Sequence, residues 1–144
     1  MDFPKLNQAE IDHIKDLLEE HCDDLTTAAG DMEYFLGLTR EGVEVIRKAK
    51  PGYLDVNAWN ETPAIDEMIA TLEEVVSSFG GAYTLHGYAK YGFQARLTVE
   101  GFEYKGSEQG VGALVYKYRK ADEVVIRTGD KAGTYERGLF VWWD

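Results

Sequence analysis

At Gly80 and Gly81 the spacing of apolar residues changes from a period of about 3.6 to a period of about 2. Before these glycines, Ile65, Met68, Ile69, Leu72, Val75, Val76 and Phe79 recur at helical intervals. After them, Phe93, Ala95, Leu97 and Val99 alternate with Gln94, Arg96, Thr98 and Glu100. A stripe with the first spacing buries one side of a helix, and the second spacing buries one face of a strand. Helices grouped ahead of strands, rather than alternating with them, predict an α+β fold. About three N-terminal helices are expected on one face of a C-terminal antiparallel meander of 4–6 strands. A doubly wound parallel sheet is disfavoured.

The first helix is announced by Asn7 as N-cap, with Glu10 three residues later and Leu6 and Ile11 placed as a hydrophobic staple. Its apolar stripe of Ile11, Ile14, Leu18, Cys22, Leu25 and Ala29 predicts that it runs to Gly30. Asp31 is read as the cap of a short helical turn over Met32 to Leu36, and Thr39 as the cap of a stretch that ends at Pro51 and Gly52. Tyr53 to Glu61 reads as a loop carrying Trp59, and Thr62 with Pro63 as the opening of the helix that ends at Gly80. Beyond it, strands are expected at Ala82 to Lys90, Phe93 to Glu100, Phe102 to Lys105, Gly112 to Lys120, Glu123 to Thr128 and Tyr135 to Trp143. A turn or bulge is expected at Glu100 and Gly101. The expected loops are Gly106 to Gly110, Ala121 with Asp122, and Gly129 to Gly133.

A chain of 144 residues, 44% of them hydrophobic, fits one domain able to bury roughly 68 to 70% of its unfolded surface. The organisation expected is therefore a single domain over 1–144, with an acidic helical half (1–80) and a sheet half (81–144). No internal repeat is evident. The single Cys22 forms no internal disulfide, and no leader-like or membrane-spanning apolar run is found, so a cytoplasmic setting is expected.

Charge divides at nearly the same place as period. Residues 1–80 hold eighteen Asp and Glu against six Lys and Arg, whereas residues 81–144 hold eight against nine. On the first helix Asp12, Asp16, Glu19 and Asp23 stand at intervals of four, three and four, forming one acidic stripe that Glu20 and Asp24 widen. Like charges at that spacing each cost about 0.2–0.5 kcal/mol of helix stability. Asp66, Glu67, Glu73 and Glu74 give the later helix an acidic surface of its own. Such surfaces repel nucleic acid and anionic membrane. They suit either plain solvation or a basic partner whose Lys and Arg would otherwise meet phosphate.

Other constellations are thinner. His13, Asp16 and Glu20 share one side of a helix, but no metal-binding motif accompanies them and no metal or cofactor is expected. Cys22 completes an apolar stripe and reads as packing. Gly106, Gly110 and Gly112 lack the Lys of a phosphate loop and read as a hairpin loop between two strands. His86, flanked by tyrosines, has no evident acid–base partner, so no catalytic residue is assigned. The tyrosines of the sheet half face either a core or a ligand, and Tyr116 and Tyr118 alternate with Lys117 and Arg119.

The reading these residues support best is a non-enzymatic acidic binding protein that inhibits or neutralises a basic macromolecular partner. Its class would be that of phage anti-defence inhibitors, of anti-CRISPR or anti-restriction type, or of immunity proteins. Asp12, Asp16, Glu19, Glu20, Asp23, Asp66, Glu73 and Glu74 would bind a basic protein, whether or not it is itself nucleic-acid-binding, with no direct contact to nucleic acid or membrane expected. The alternative is a small-ligand-binding protein or small enzyme with a pocket lined by His86, Tyr88, Tyr104 and Tyr116. A third reading is a homo-oligomer joined through the terminal strand at Trp142.

Overall fold

Asn7 caps the first helix as its sequence requires. Its side chain accepts from the Glu10 backbone N–H at 2.8 Å and the Glu10 carboxylate accepts from the Asn7 N–H at 3.0 Å, a reciprocal capping box. In the computed structural model, which describes residues 3–28, 30–54, 62–128 and 137–143, this helix, α1, spans Gln8–His21. Strands β1 (Asp24–Thr27) and β2 (Met32–Leu38) follow, then α2 (Arg40–Ala49), α3 (Ile65–Phe79), β3 (Ala82–Lys90) and β4 (Arg96–Gly106). The last elements are α4 (Glu108–Lys117), β5 (Glu123–Thr128) and β6 (Arg137–Trp142). The strands form one sheet in the order β1-β2-β3-β4-β6-β5, and the registered strand pairs β1–β2, β2–β3, β4–β6 and β5–β6 are antiparallel.

The chain divides into two compact units, Met1–Asn57 with Leu85–Val99, and Ala58–Thr84 with Glu100–Asp144. In the first, α1 packs on α2 and against β1 and β2, burying Ile14, Leu18, Phe35, Leu38, Val43 and Ile46. Tyr53 is fully buried there, and its hydroxyl donates to the Lys90 carbonyl at 3.0 Å. In the second, α3 packs on α4 and α4 on β6. Met68, Leu72, Phe102, Tyr104, Leu114, Leu139 and Val141 are buried, and Tyr118 sits edge-on to both Phe102 and Trp143.

The α+β class and the antiparallel sheet are as the periodicity predicts, and β3 has the predicted bounds. The order is different. Helices and strands are mixed rather than segregated, and the described residues hold four helices. The first helix stops at His21 because Cys22 turns extended, at φ −114° and ψ 155°. Leu25 belongs to β1 and pairs with Phe35. Met32 to Leu36 is strand, not a helical turn, and its register slips between Phe35 and Leu38, where Gly37 takes a positive φ of 77° and bulges the strand.

Three further corrections fall later in the chain. The helix ending at Phe79 starts at Ile65 behind Ala64, without a side-chain cap bond from Thr62. Glu100 and Gly101 make no turn, because β4 runs straight through them with both faces buried over most of its length. The stretch Gly112 to Lys120, expected as a strand, is largely α4. Gly106 to Gly110 is accordingly no hairpin loop, since Ser107 caps α4 and accepts from the Gly110 N–H at 3.1 Å.

An internal repeat, not evident in the sequence, emerges in the element order. Helix, hairpin, helix occurs first as α1-β1-β2-α2 and again as α3-β3-β4-α4. The closing helices start alike. Thr39 and Ser107 are the caps, and each accepts from the N–H of a glycine three residues on, Gly42 or Gly110. Val43 and Ile46 are buried in one, Val111 and Leu114 in the other. The remaining expectations over 55–61 with Trp59, at Ala29, and over 129–136 lie outside the described residues.

Candidate functional site

The acidic surface is built first by the packing that fixes its helices. Ile14 and Leu18 anchor α1, and the Lys50 ammonium at the end of α2 pairs with Glu10. That pairing, with the backbone bond from Asn7, holds the Glu10 carboxyl below the usual carboxylate range. With one side buried, Asp12, Asp16, Glu19 and Glu20 are left exposed on the other. Asp12 accepts from the Gln8 amide at 2.9 Å. Glu20 lies 4.0 Å from His21 with its side chain 71% exposed. Asp23 is also exposed but stands past the helix end, where its carboxylate packs over Gly37: a Cβ there would lie 2.2 Å from Oδ2. The stripe of four therefore has three members on α1 and one in the turn that leaves it.

On α3 the acidic residues divide by role. Asp66 and Glu67 stand in the first turn, where negative charge complements the helix dipole. Glu73 is half-buried and accepts from the Tyr83 hydroxyl at 2.9 Å. Glu74 is exposed. Asp16, Glu19 and Glu74 form no ion pair among the described residues.

The four residues of the alternative pocket meet different fates. His86 is buried on β3, 1% exposed. Tyr88 is half-buried, accepts from Arg96 Nη2 at 2.8 Å and stands edge-on to Tyr34. Tyr104 is fully buried in the other unit, where its hydroxyl donates to the Gly80 carbonyl at 2.7 Å. Tyr116 projects from α4, 73% exposed, under the Arg119 guanidinium. The tyrosine ladder expected of a strand does not exist, since Tyr116 lies in α4 and is exposed while Tyr118 is the C-cap of that helix and is buried.

Arg96 is the residue that the alternating pattern misplaced. Expected on a wet face, it is 9% exposed, lies over the rings of Phe3 and Tyr88 at 5.4 Å from each centroid, and donates to the Gln94 carbonyl. Arginine stacks well on aromatic faces, and Phe3 and Tyr88 supply those faces here. Burial raises the Cys22 thiol to about 12, with Asp23 adding to the effect, which leaves it protonated and inert at neutral pH. His13 and Asp16 are exposed on α1, and no three His, Cys, Asp or Glu side chains converge as a metal site requires among the described residues. No helix among them is long and apolar enough to cross a membrane.

Comparison with protein-family models, with curated proteins and with solved structures gives no match for this chain.

Proposed function

We propose that this chain is a non-enzymatic acidic binding protein that inhibits or neutralises a basic macromolecular partner in the cytoplasm. The observation that supports this reading is the exposure of Asp12, Asp16, Glu19 and Glu20 along one helix, where close like charges lower helix stability and the fold makes little use of them. Carboxylates at this spacing meet Lys and Arg side chains that would otherwise hold phosphate, and the repulsion among them is relieved when the partner docks. The mode of action in this reading is occlusion of a basic nucleic-acid-binding surface, and the class is that of phage anti-defence inhibitors, of anti-CRISPR or anti-restriction type, or of immunity proteins. Glu74 and Asp66 extend the same chemistry to α3.

The test is capture of partners from the native host at low salt by the wild-type protein and by the double reversal Asp12→Lys/Asp16→Lys. A basic protein retained by the first and lost, or weakened about tenfold or more, with the second is expected. Equal retention by both would sink the acidic-surface reading.

A further inference from the structure

The two edges of the sheet are not alike. One edge is β1, four residues of largely exposed, polar sequence, Asp24-Leu25-Thr26-Thr27. The other is β5, which pairs with β6 on one side in an unbroken register from Glu123↔Trp142 to Thr128↔Arg137 and, among the described residues, has no strand on its other side. Edge strands in stable proteins are blunted by prolines, bulges, lysines or short length. From Glu123 to Arg127, β5 has no proline, no lysine and no bulge. It leaves Val125 40% and Ile126 53% exposed, the sheet's end residues on its two opposite faces.

We propose that the partner of this edge is β5 of a second copy of the chain, paired antiparallel about a two-fold axis through Val125. The sequence of the strand selects the arrangement. Side chains alternate between faces, so a two-fold axis normal to the sheet pairs only residues of equal parity. The strand can then be centred on Val124, Val125 or Ile126. Centring on Val124 sets Asp122 against Ile126 and Glu123 against Val125, and centring on Ile126 sets Val125 against Arg127. Only the register centred on Val125 matches like with like. Val125 meets Val125 of the second copy, Val124 meets its Ile126, and Glu123 meets its Arg127, each of the last two occurring twice. Opposite charges facing each other across strands are favourable and like charges are not. Arg127 is held ready for this by its own sheet, since its guanidinium lies 5.6 Å from the centroid of Phe140 on β6. β1 offers no such self-complementarity, having acid at one end and no base. The terminal strand, which the sequence offered as the joining element through Trp142, lies between β4 and β5 and has no free edge. The association is confined to one short strand per copy and is weak, so it appears with rising concentration.

Sedimentation equilibrium across the micromolar to millimolar range tests the proposal independently of the acidic helices. The wild-type chain should pass from monomer to dimer. Glu123→Arg alone and Arg127→Glu alone should each weaken the dimer at least tenfold, because each sets like charges opposite one another, twice. The double variant Glu123→Arg/Arg127→Glu should recover it, as should an equimolar mixture of the two single variants, which forms the mixed dimer only if both are folded. A wild-type chain that stays monomeric throughout, leaving the edge bare or open to a strand of another protein, would overturn the proposal. So would single variants that dimerise as the wild type does, or a double variant and a mixture that both remain monomeric.

Discussion

Tyr104 is boxed in by glycines. Cβ atoms built on Gly81, Gly106 and Gly110 would come within 2.8, 2.4 and 2.2 Å of its hydroxyl oxygen, and that hydroxyl donates to the Gly80 carbonyl. Gly110 is helical, so alanine there gains about 1 kcal/mol of helix propensity. The steric conflict with the phenol outweighs that gain, and Gly110→Ala is expected to destabilise by about 1–3 kcal/mol in urea denaturation. Tyr104→Phe alone should cost about 0.5–1.5 kcal/mol for the lost hydrogen bond. Placed together, the two should cost less than their sum, because removing the hydroxyl relieves the nearest of the contacts the methyl would make, although Cζ remains at 2.7 Å. Burial also marks Tyr53 and Tyr91, both raised above the ordinary tyrosine value of 10.0, with the Glu33 carboxylate accepting from the Tyr91 hydroxyl at 2.8 Å. A raised folded pKa means that their contribution to stability is intact below pH 10 and lost as pH climbs above it. Absorbance titration should therefore show these two phenols ionising only as the fold is lost. At this scale the sequence was a fair guide to aliphatic burial, since Ile14, Leu18, Met68 and Leu72 are where their spacing put them. It was a poor guide to Arg96 and Tyr104, because Phe3 over the one and Gly80 and Gly81 against the other come from distant parts of the chain.

Elements were legible where a local signal was complete. The Asn7 capping box lies within four residues, and Asn7→Ala should cost about 1 kcal/mol, read as a lower thermal midpoint, because the Glu10 N–H loses its Asn7 side-chain acceptor. The stop at Gly80 and Gly81 was equally local, with both glycines at positive φ. Helix α4 was missed because Val111, Val115, Tyr116 and Tyr118 are β-branched or aromatic and favour strand on average. Its buried set, Gly110, Val111, Leu114 and Tyr118, nevertheless falls at helical intervals, and Ser107 ahead of it was the cap that would have decided the matter. The β1–β2 hairpin was absorbed into helices because Cys22, Leu25 and Ala29 continue the α1 stripe by coincidence, against the β preference of Thr26 and Thr27. Each error moved a strand into the helical half or a helix out of the sheet half, which is why segregation was expected and a mixed order found. The repeat shared by α2 and α4 was hidden for the same reason, since its second copy was read as strand.

For the whole molecule, the charge division remains, although its boundary is no longer one between helices and sheet. β1 and β2 belong to the acidic 80 residues, and α4 to the near-neutral remainder. Within the acidic part, some carboxylates have work inside the fold. Glu10 caps α1 and pairs with Lys50, Glu33 accepts from Tyr91, and Glu73 accepts from Tyr83. Of the acid turned to solvent among the described residues, the largest group on any one helix is on α1, Asp12, Asp16, Glu19 and Glu20, beside Asp66, Glu67 and Glu74 on α3, and this separation of structural from exposed acid is what a single sequence could not supply. If that surface exists to meet a basic partner, long-range attraction governs how fast the two find each other, and dissolved salt screens it over a Debye length of about 8–10 Å. The direct measurement is the association rate constant with the captured partner as a function of ionic strength, for the wild type and for Asp12→Lys/Asp16→Lys. A wild-type rate that falls steeply with added salt, beside a slower and flatter rate for the reversal, is the predicted result. Rates that coincide for the two proteins and do not respond to salt would contradict it.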